Sequence, residues 1–395
     1  MVVDGIQPAE TLTPADAGEL AAALTACSRA RRATVISGGG SKLSWGRTPA
    51  QVDVVVSTAR LNRVVAHRYG DLTATLEAGA TLEDVNRELA RHGQWLPVDS
   101  AFPAATIGGI VATNDSGPLR HRFGSPRDLL IGVTLALADG RIVKAGGTVV
   151  KNVAGYDLGR LVTGSFGSFA AIVTATFKLS PLPAASGTIG VVYRERGALA
   201  RDAQLLAANQ FEFTALDVQA APGASGPEYR LLARVASSPS ATDAQLAAVQ
   251  RMVTGEAHVI AGQAEQDLWR DQVGAAWVGD GTTIRTAWLP ASLADVLTLL
   301  ERVGRDTGTA LTLTGRAAVG AGLVRVDGPA DAVEPVVEHL RGSESVANVV
   351  VLRAPAAVKA RVDVWGPQGD AAPVLRAIKS ALDPAGILNA GRGPV

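Results

Sequence analysis

Three consecutive glycines, Gly38, Gly39 and Gly40, come directly after a short apolar run and are followed by Ser41 and Lys42. Glycine weakens strand and helix interiors, so such a triplet marks a place where the backbone bends sharply or approaches another group closely. A run of small residues can also form a concave nest of amide N–H groups suited to a diphosphate. This loop alone leaves two interpretations open, a plain surface turn and an anion-binding loop.

The common phosphate-binding glycine motifs are absent from the sequence. The dipeptide Gly-Lys does not occur, which excludes the P-loop pattern G-x-x-x-x-G-K-[ST]. The dinucleotide pattern G-x-G-x-x-G fails at the first glycine loop, because Leu43 stands where the third glycine is required. A Rossmann-type site is therefore disfavoured, although a strand followed by glycines resembles one in outline.

Composition and charge narrow the class of protein. The sequence has 395 residues, 47% of them hydrophobic and 19% charged, which indicates a globular protein of two or three domains. Lys plus Arg equals Asp plus Glu at 37 each, so net charge gives no attraction to nucleic acid or anionic lipid. The single cysteine, Cys27, excludes an internal disulfide and an iron–sulfur cluster held by this sequence alone.

Targeting signals are not evident in the sequence. No basic segment precedes an apolar segment near the start, and no apolar run is long enough to cross a bilayer. We therefore expect a cytoplasmic protein with no direct membrane insertion and no nucleic-acid partner. The sequence also shows no metal-ligand spacing, and we expect no metal site.

Hydrophobic periodicity in the first half predicts helices and strands in alternation. Thr13 and Thr81 are the predicted N-caps of the two helices, and Asp139-Gly140 predicts a hairpin turn. Residues 97–128 show little periodicity but include Ile107, Ile110 and Val111, spaced as if packed, so we expect an ordered functional loop. The predicted helices are 13–32 and 81–93, and the predicted strands are 33–36, 52–58, 73–80, two around Asp139-Gly140, and 169–181.

A stretch rich in proline and small residues, 181–187, marks the predicted domain boundary. Beyond it the order β-α-β-β-α-β occurs twice, which is the ferredoxin-like arrangement. A helix at 264–273 links the two copies, and a last helix ends at Asp383-Pro384. The predicted elements of the first copy are 188–194, 197–209, 214–219, 228–235, 241–253 and 257–261, and those of the second are 283–288, 291–304, 309–314, 321–326, 330–341 and 347–352.

Three stretches in this order resemble a known FAD-binding domain. They are "SGGGSKLSWG", "PAATIGGIVATNDSGPLRHRFGSPRD" and "KNVAGYDLGRLVTGSFGSFAAIVTATFKLSPLP". Together they resemble the domain of the vanillyl-alcohol-oxidase and p-cresol-methylhydroxylase (PCMH) type, and the closing "LDPAGILNAGR" is like the tail of many members. Within that superfamily, "GGTVVKNVAGYDLGRLVTGSFGS" most closely resembles the FAD-binding subunits of bacterial glycolate oxidases.

The resemblance implies an α+β fold with three parts. Residues 1–183 would form a two-subdomain PCMH-type FAD-binding domain. Residues 188–352 would form a cap domain, which binds substrate or partner, with an antiparallel sheet in the duplicated ferredoxin-like pattern. Residues 353–395 would return to the flavin site.

The resemblance also implies which residues hold FAD. The first glycine loop would wrap the pyrophosphate, the second would line the other side of the diphosphate and the ribityl chain, and Pro97 would lie near the adenine or the flavin edge. Ser41 stands in the stretch where many relatives carry the histidine that attaches FAD covalently, so we expect non-covalent FAD. In a separate departure from the family pattern, Ala170 replaces the usual glycine before the terminal strand. The implied cofactor-binding residues are Gly38, Gly39, Gly40, Ser41, Lys42, Pro97, Thr106, Gly108, Gly109, Thr113, Asn114, Ser116, Gly117, Gly164, Gly167, Ala171, Ile172 and Asn389.

Oxidation of a 2-hydroxy acid needs an oxidised flavin, a cation for the carboxylate and a base for the hydroxyl proton. Arg285 is our candidate clamp, ahead of Arg316 and Arg325, and Tyr156 is a candidate for orienting the flavin. Each has an open alternative: a salt bridge on the sheet for Arg285 and a structural role for Tyr156. His121 is the better-placed histidine, although a histidine in such a loop is more often phosphate-facing or exposed than catalytic.

The resemblance leaves three hypotheses for the whole protein. The catalytic subunits that accompany this family carry a His-rich stretch, H-x-G-D-G-N-x-H, whereas Gly279-Asp280-Gly281 here has no flanking histidine. The first hypothesis is therefore an FAD-binding subunit of a glycolate (2-hydroxy-acid) oxidase complex, working with other flavoprotein and iron–sulfur subunits, one of which could bring it to a membrane. The alternatives are a stand-alone FAD-dependent oxidoreductase and a non-redox assembly subunit with a vestigial flavin site.

Overall fold

The computed structural model describes residues 1–148, 155–224 and 226–394. The Lys-Asn-Val-Ala part of the third resemblance motif, at 151–154, lies outside them. Contacts between Cα atoms divide the chain into two compact units. The first comprises Met1–Ser116, Gly124–Leu182 and the segment that begins at Pro367, and the second comprises Gly117–Phe123 and Pro183–Gly366.

The strands of the described residues are numbered in chain order. Up to residue 182 they are β1 (Glu10–Leu12), β2 (Thr34–Ser37), β3 (Val54–Ser57), β4 (Val64–Arg68), β5 (Thr73–Glu77), β6 (Gln94–Trp95), β7 (Leu130–Ala136), β8 (Ile142–Gly146), β9 (Ala171–Lys178) and β10 (Ser180–Pro181). After it they are β11 (Ala185–Tyr193), β12 (Phe213–Gly223), β13 (Gly226–Ser237), β14 (Glu256–Ala261), β15 (Thr282–Ala287), β16 (Ala310–Arg316), β17 (Ala321–Asp327) and β18 (Ala347–Arg353).

The α-helices of the described residues are numbered in the same way. They are α1 (Ala17–Arg29), α2 (Leu82–Leu89), α3 (Ile107–Thr113), α4 (Arg120–Phe123), α5 (Pro126–Leu129), α6 (Leu158–Val162), α7 (Arg196–Ala207), α8 (Pro239–Met252), α9 (Gly262–Gly274), α10 (Leu293–Thr307), α11 (Ala330–Arg341), α12 (Ala356–Lys359) and α13 (Ala372–Leu382).

The first unit contains two main sheets. A parallel sheet has the order β1-β3-β2, and an antiparallel sheet has the order β4-β5-β9-β7-β8. The helix α1 buries Leu20, Leu24 and Cys27 in the core shared with β3. Its N-cap is Asp16, whose side chain accepts a hydrogen bond from Glu19 N at 2.9 Å, so the predicted cap at Thr13 was wrong.

The prediction for residues 97–128 was wrong about regular structure. Three short helices, α3, α4 and α5, lie in this stretch. Ile107, Ile110 and Val111 form the buried face of α3, and Thr106 caps it by accepting from Gly109 N at 3.4 Å. The helix is short and has glycines at its second and third positions, Gly108 and Gly109, which hid its period from sequence analysis. The predicted hairpin at Asp139-Gly140 is confirmed between β7 and β8.

The second unit is built on one eight-stranded antiparallel sheet, in the order β14-β11-β13-β12-β16-β17-β15-β18. The predicted double β-α-β-β-α-β order is confirmed, and an α+β fold with it. Helix α8 places Leu246 against Gly187, whereas α9 places Glu265 and Trp269 on the neighbouring residue, Thr188. Because successive strand residues face opposite ways, α8 and α9 cover opposite faces of the sheet.

Candidate functional site

A cleft in the first unit lies between the glycine loop after β2 and the helix α3. It contains about 700 Å³ of space, part of which is open solvent. Its remaining walls come from the turn at Phe166 and Gly167, the residues around the start of β9, and the tail at Asn389 and Arg392.

The first two glycines of the loop are required by close packing. A Cβ on Gly38 would lie 2.0 Å from Thr106 Oγ1, and one on Gly39 would lie 1.8 Å from the carbonyl oxygen of Ala104. Gly40 has a φ of +74°, a conformation that favours glycine. The triplet therefore lets two backbone segments meet at the wall of the cleft, and a side chain at Gly38 or Gly39 would disturb the fold itself.

The loop leaves hydrogen-bonding groups available at the cleft. Among the described residues, no acceptor pairs with the backbone amides of Gly38, Gly39, Gly40 or Ser41. Consecutive amides without acceptors are the arrangement that binds phosphate oxygens in backbone nests. The residues present therefore fit the diphosphate of a dinucleotide cofactor.

Gly109 is the position where a side chain would take space from the cleft at little cost to the fold. Its φ is not positive, and the nearest atom to an added Cβ is Thr106 Oγ1 at 3.4 Å, an ordinary contact distance. Gly108, one residue earlier, differs because an added Cβ would lie 2.8 Å from the Cβ of Ala78. The absence of a side chain at Gly109 thus keeps the cleft open.

Lys42 brings a buried cation to the cleft wall. Its Nζ lies 2.8 Å from Asp115 Oδ2, and the two side chains are only 7% and 11% exposed. Ser100 Oγ donates to the same carboxylate oxygen at 2.8 Å. The ammonium also lies 5.6 Å and 5.4 Å from the ring centroids of Trp45 and Phe102. The position of Lys42 is therefore fixed by a carboxylate and two aromatic rings.

The tail closes the cleft through two buried residues. Asn389 N donates to the carbonyl of Thr34 at 2.8 Å, and its side-chain amide donates to the carbonyl of Phe166. The Arg392 guanidinium donates to the carbonyls of Leu43 and Trp45 at 2.8 Å and 3.1 Å. Burial lowers the pKa of Arg392 to about 10, so it remains a cation at neutral pH.

Lys379 holds the tail in place at a point before Asn389 in the sequence. Its Nζ donates to Asp383 Oδ2 at 2.6 Å and to the carbonyls of Ser168 and Leu388 at 2.8 Å each. Burial lowers the pKa of Lys379, and the Asp383 carboxylate opposes this. The same carboxylate accepts from Ile387 N and Leu388 N, so the chain is held in place just before Asn389.

The backbone at Phe166 is in an unusual conformation. Its φ is +56°, which is rare for an aromatic residue. Phe166 N donates to the carbonyl of Ala112 at 2.8 Å, and this bond holds the turn against α3. Gly167 follows with a φ of +72°, and a Cβ there would lie 2.6 Å from Asn389 Nδ2.

The cleft brings together most of the residues that the resemblance implies for FAD, and their contact with FAD stays a prediction. Those outside its lining are Pro97, Asn114, Ser116, Gly117, Gly164 and Ala171; Ala171 faces the core with α1. Those that line it are Gly38, Gly39, Gly40, Ser41, Lys42, Thr106, Gly108, Gly109, Thr113, Gly167, Ile172 and Asn389.

Sequence reasoning missed several lining residues, chief among them Phe166 and Arg392. Phe166 stands between two glycines of the third motif, where nothing in its residue type signals a positive φ. Arg392 is the last residue of the tail motif "LDPAGILNAGR", and only its proximity to Asn389 along the chain could have singled it out.

The two candidate catalytic residues lie in different units. Tyr156 belongs to the first unit and is 92% exposed. Arg285 belongs to β15 of the second unit, where it is partly buried. Burial and the nearby Arg120 lower the pKa of Arg285. His121, also in the second unit, has its pKa lowered by burial and by Arg122.

The part of the chain that the structure describes lacks two kinds of feature. No three His, Cys, Asp or Glu side chains are grouped as metal ligands. No described helix combines the length and the apolar character needed to cross a bilayer.

The cleft and its acceptor-free amides fit a diphosphate, and comparison with known families indicates the cofactor. Residues 8–146 match the family model of the "FAD binding domain". FAD is therefore the cofactor of the first unit. The matched region includes the glycine loop, Lys42 and α3.

Named relatives are similar over part of their length. "Glycolate oxidase subunit GlcD" of Bacillus subtilis (strain 168) is 33% identical over 195 residues, 49% of this chain and 42% of that protein. "Glycolate oxidase subunit GlcE" of Escherichia coli (strain K12) is 37% identical over 157 residues, 38% of this chain and 43% of that protein. "D-lactate dehydrogenase" of Archaeoglobus fulgidus is 33% identical over 168 residues, 42% of this chain and 38% of that protein. The chain thus spans less than half the length of these relatives.

A solved structure shares the fold over nearly the whole chain. Alkyldihydroxyacetonephosphate synthase superposes with a TM-score of 0.73, covering 98% of this chain and 78% of that one, at 15% identity. At this identity the likeness concerns the fold alone.

Proposed function

We propose that this chain is the FAD-binding subunit of a 2-hydroxy-acid oxidase or dehydrogenase complex, with glycolate or a similar small acid as substrate. The observation that carries the proposal is the cleft, with its acceptor-free amides in a region that matches an FAD-binding family. The names of the relatives supply the substrate class, since they include glycolate oxidase subunits and a D-lactate dehydrogenase.

Each part of the cleft would contribute separately to holding FAD. The amides of Gly38 to Ser41 would bind the diphosphate oxygens, and Arg392 would hold the loop that presents them. Ser41 stands where many relatives have a histidine that bonds covalently to FAD, so we expect FAD to be released intact by mild denaturation. The bound flavin would supply the two-electron oxidant for the reaction.

In this proposal the protein recognises its substrate by the carboxylate group. A 2-hydroxy acid loses two electrons and two protons when it becomes a 2-oxo acid, and its carboxylate needs a cation to orient it. Arg285 is the side chain that we assign to this role. Tyr156 is too exposed in this structure to bind a substrate in a closed site, and we keep it only as a residue near the flavin loops.

Electron transfer requires a partner in this proposal. The sequence has one cysteine, Cys27, which is buried, whereas an iron–sulfur cluster needs several thiolate ligands. We therefore assign any cluster to another subunit and expect a cytoplasmic complex that meets a membrane, if at all, through that subunit.

The test compares the isolated chain with the complex purified gently from its native cells. We expect the isolated chain to bind one FAD. In the complex, iron should copurify with a different subunit, and glycolate should reduce an artificial acceptor faster than it does with the isolated chain. Equal turnover by the isolated chain would favour a stand-alone oxidoreductase, and a chain that takes up no FAD would contradict the proposal.

A further inference from the structure

Two of the five histidines of the sequence lie side by side in the first unit. His67 is near the end of β4, and His92 is in the 3₁₀ turn Ala90–His92 that follows α2. Their ring centroids are 5.2 Å apart, and the planes of the two rings are inclined at 85°. The expectation of no metal site rested on spacing along the sequence, and it does not cover two residues that only the fold brings together.

The hydrogen bonds of His67 leave one ring nitrogen available to a metal ion. His67 Nε2 lies 2.9 Å from Gln94 Oε1, and Gln94 Nε2 donates to the carbonyl of Tyr69 at 2.7 Å. Because the amide nitrogen of Gln94 is committed to Tyr69, its oxygen faces the histidine, and His67 Nε2 donates the proton. In a neutral imidazole the other nitrogen, Nδ1, then keeps its lone pair. No described residue donates a hydrogen bond to His67 Nδ1.

A histidine held in this way has the arrangement that metal sites use. Metal-ligating histidines donate their other ring N–H to a carbonyl or a carboxylate, and this bond fixes the tautomer and the ring orientation. Gln94 accepts that bond from His67, and the side-chain amide is held in turn because Gln94 is only 8% exposed. The protein therefore sets the tautomer of His67 that can bind a metal through Nδ1.

Stacking, and not hydrogen bonding, positions His92. Its ring is parallel to that of Tyr69 within 2°, with the two centroids 4.7 Å apart. The centroid of Tyr69 also lies 6.2 Å from that of His67, so one aromatic side chain contacts both histidines. Within the described residues, neither ring nitrogen of His92 has a hydrogen-bonding partner, and the residue is exposed. Ligation through His92 would therefore break no hydrogen bond.

The separation of the two histidine rings fits a shared ion. Two imidazoles on one tetrahedral zinc ion, with each ligating nitrogen about 2.1 Å from the metal, have ring centroids about 5 Å apart. The 5.2 Å between His67 and His92 agrees with this arrangement. Imidazole suits zinc, copper and nickel ions, whereas magnesium and calcium ions require oxygen ligands.

We propose that His67 and His92 form a binding site for a divalent transition-metal ion of the zinc type, with Gln94 as a positioning residue and water in the remaining coordination positions. The ion would tie the end of β4 to the turn Ala90–His92. It would stabilise the first unit, because the unfolded chain does not hold the two rings together. This site is separate from the proposed function, since none of these residues lines the cleft.

The test is titration calorimetry of the untagged, FAD-loaded protein with zinc chloride, after removal of free FAD. We expect one zinc ion per chain, with affinity lowered about tenfold by Gln94→Met and by more in His67→Asn and His92→Asn, which each lose a ligand. Magnesium chloride in excess should not displace the zinc. His258→Asn is the matched control, because His258 is another exposed histidine, 3.3 Å from Glu256 Oε1, and this variant should bind zinc as the unmodified protein does.

X-ray absorption of the zinc-loaded protein gives a second measurement, and we expect two imidazole rings bound to the metal. No zinc binding, unchanged binding in both histidine variants, or fewer than two imidazoles on the metal would overturn the site. Loss of binding in His258→Asn would place the zinc beside Glu256 and overturn it as well. Because His92 is exposed, we expect His92→Asn to fold normally, and urea unfolding without zinc checks this.

Discussion

The guanidinium of Arg392 lies 2.8 Å from the carbonyl oxygen of Leu43, at the end of the glycine loop. This bond, with a second to Trp45, ties the last residues of the chain to a loop near its start. The carbonyls turn toward the buried arginine, whereas the amides of Gly38 to Ser41 keep no acceptor among the described residues. The tail therefore holds the geometry of the loop that we assign to the FAD diphosphate.

Replacing Arg392 tests this relationship. We expect Arg392→Met to weaken FAD binding and to lower stability by about 2 to 4 kcal/mol, since several carbonyls lose a charged donor in a buried place. The measurements are FAD titration by fluorescence quenching and urea unfolding. Arg392→Lys is the control that keeps the charge without the forked donors of arginine. Its FAD affinity and stability should lie between those of the unmodified protein and those of Arg392→Met. Normal FAD affinity in Arg392→Met would contradict the role of the tail.

The Lys42–Asp115 pair predicts strong coupling between two buried charges. We expect Lys42→Met to lower the free energy of unfolding by about 3 to 5 kcal/mol, because it leaves Asp115 buried without its cation. The double variant with Asp115→Asn should recover much of this loss, since Ser100 can still hydrogen-bond the amide. A double-mutant cycle by urea unfolding checks this. Simple additivity of the two changes would show that the pair is not coupled.

Gly109 offers a way to close the cleft without unfolding the chain. Alanine is a better helix former than glycine by up to about 1 kcal/mol, and its methyl group meets no described atom closer than 3.4 Å. We expect Gly109→Ala to leave the FAD-free protein at least as stable in thermal unfolding but to weaken FAD binding, because the methyl group enters the cleft.

The matched control for this change lies in the other unit. Gly274 is the last residue of α9, and an added Cβ there would meet nothing within 4 Å. Gly274→Ala should change stability by a similar amount and leave FAD binding untouched. If Gly109→Ala binds FAD as tightly as Gly274→Ala does, the cofactor does not occupy this part of the cleft.

Acid should destabilise the second unit through His121. Burial and Arg122 lower the pKa of His121 below its ordinary value of 6.5, so the unfolded chain takes up the proton at a higher pH than the folded chain. The free energy of unfolding is therefore not reduced by His121 above about pH 6.5. It decreases as the pH falls from that value toward the pKa of His121 in the folded chain. His121→Gln should flatten the stability profile between neutral and acid pH in urea unfolding.

A second variant checks the cause of this pH dependence. Arg122→Gln removes the smaller of the two effects on His121 and should reduce the acid loss only in part. An acid profile identical in His121→Gln and the unmodified protein would assign the pH dependence to other groups.

Sequence periodicity predicted the second unit well and the cleft only in part. In strands such as β17, the buried Val324 and Val326 alternate with polar residues. This local pattern is enough to predict the strand from the sequence. In α3 the two glycines interrupt the pattern, and the helix is stable because Ile107 and Ile110 are buried by distant parts of the chain. Arg392 could not be predicted, since its partners lie about 350 residues away and are backbone carbonyls of no particular sequence.

The most direct test of the account is the amount of FAD released by mild denaturation of the purified, FAD-saturated protein. We predict close to one FAD per chain, released without covalent attachment, and markedly less from Gly109→Ala measured beside Gly274→Ala. Protein that folds normally and retains no FAD after saturation would contradict the assignment of the cleft and with it the proposed function.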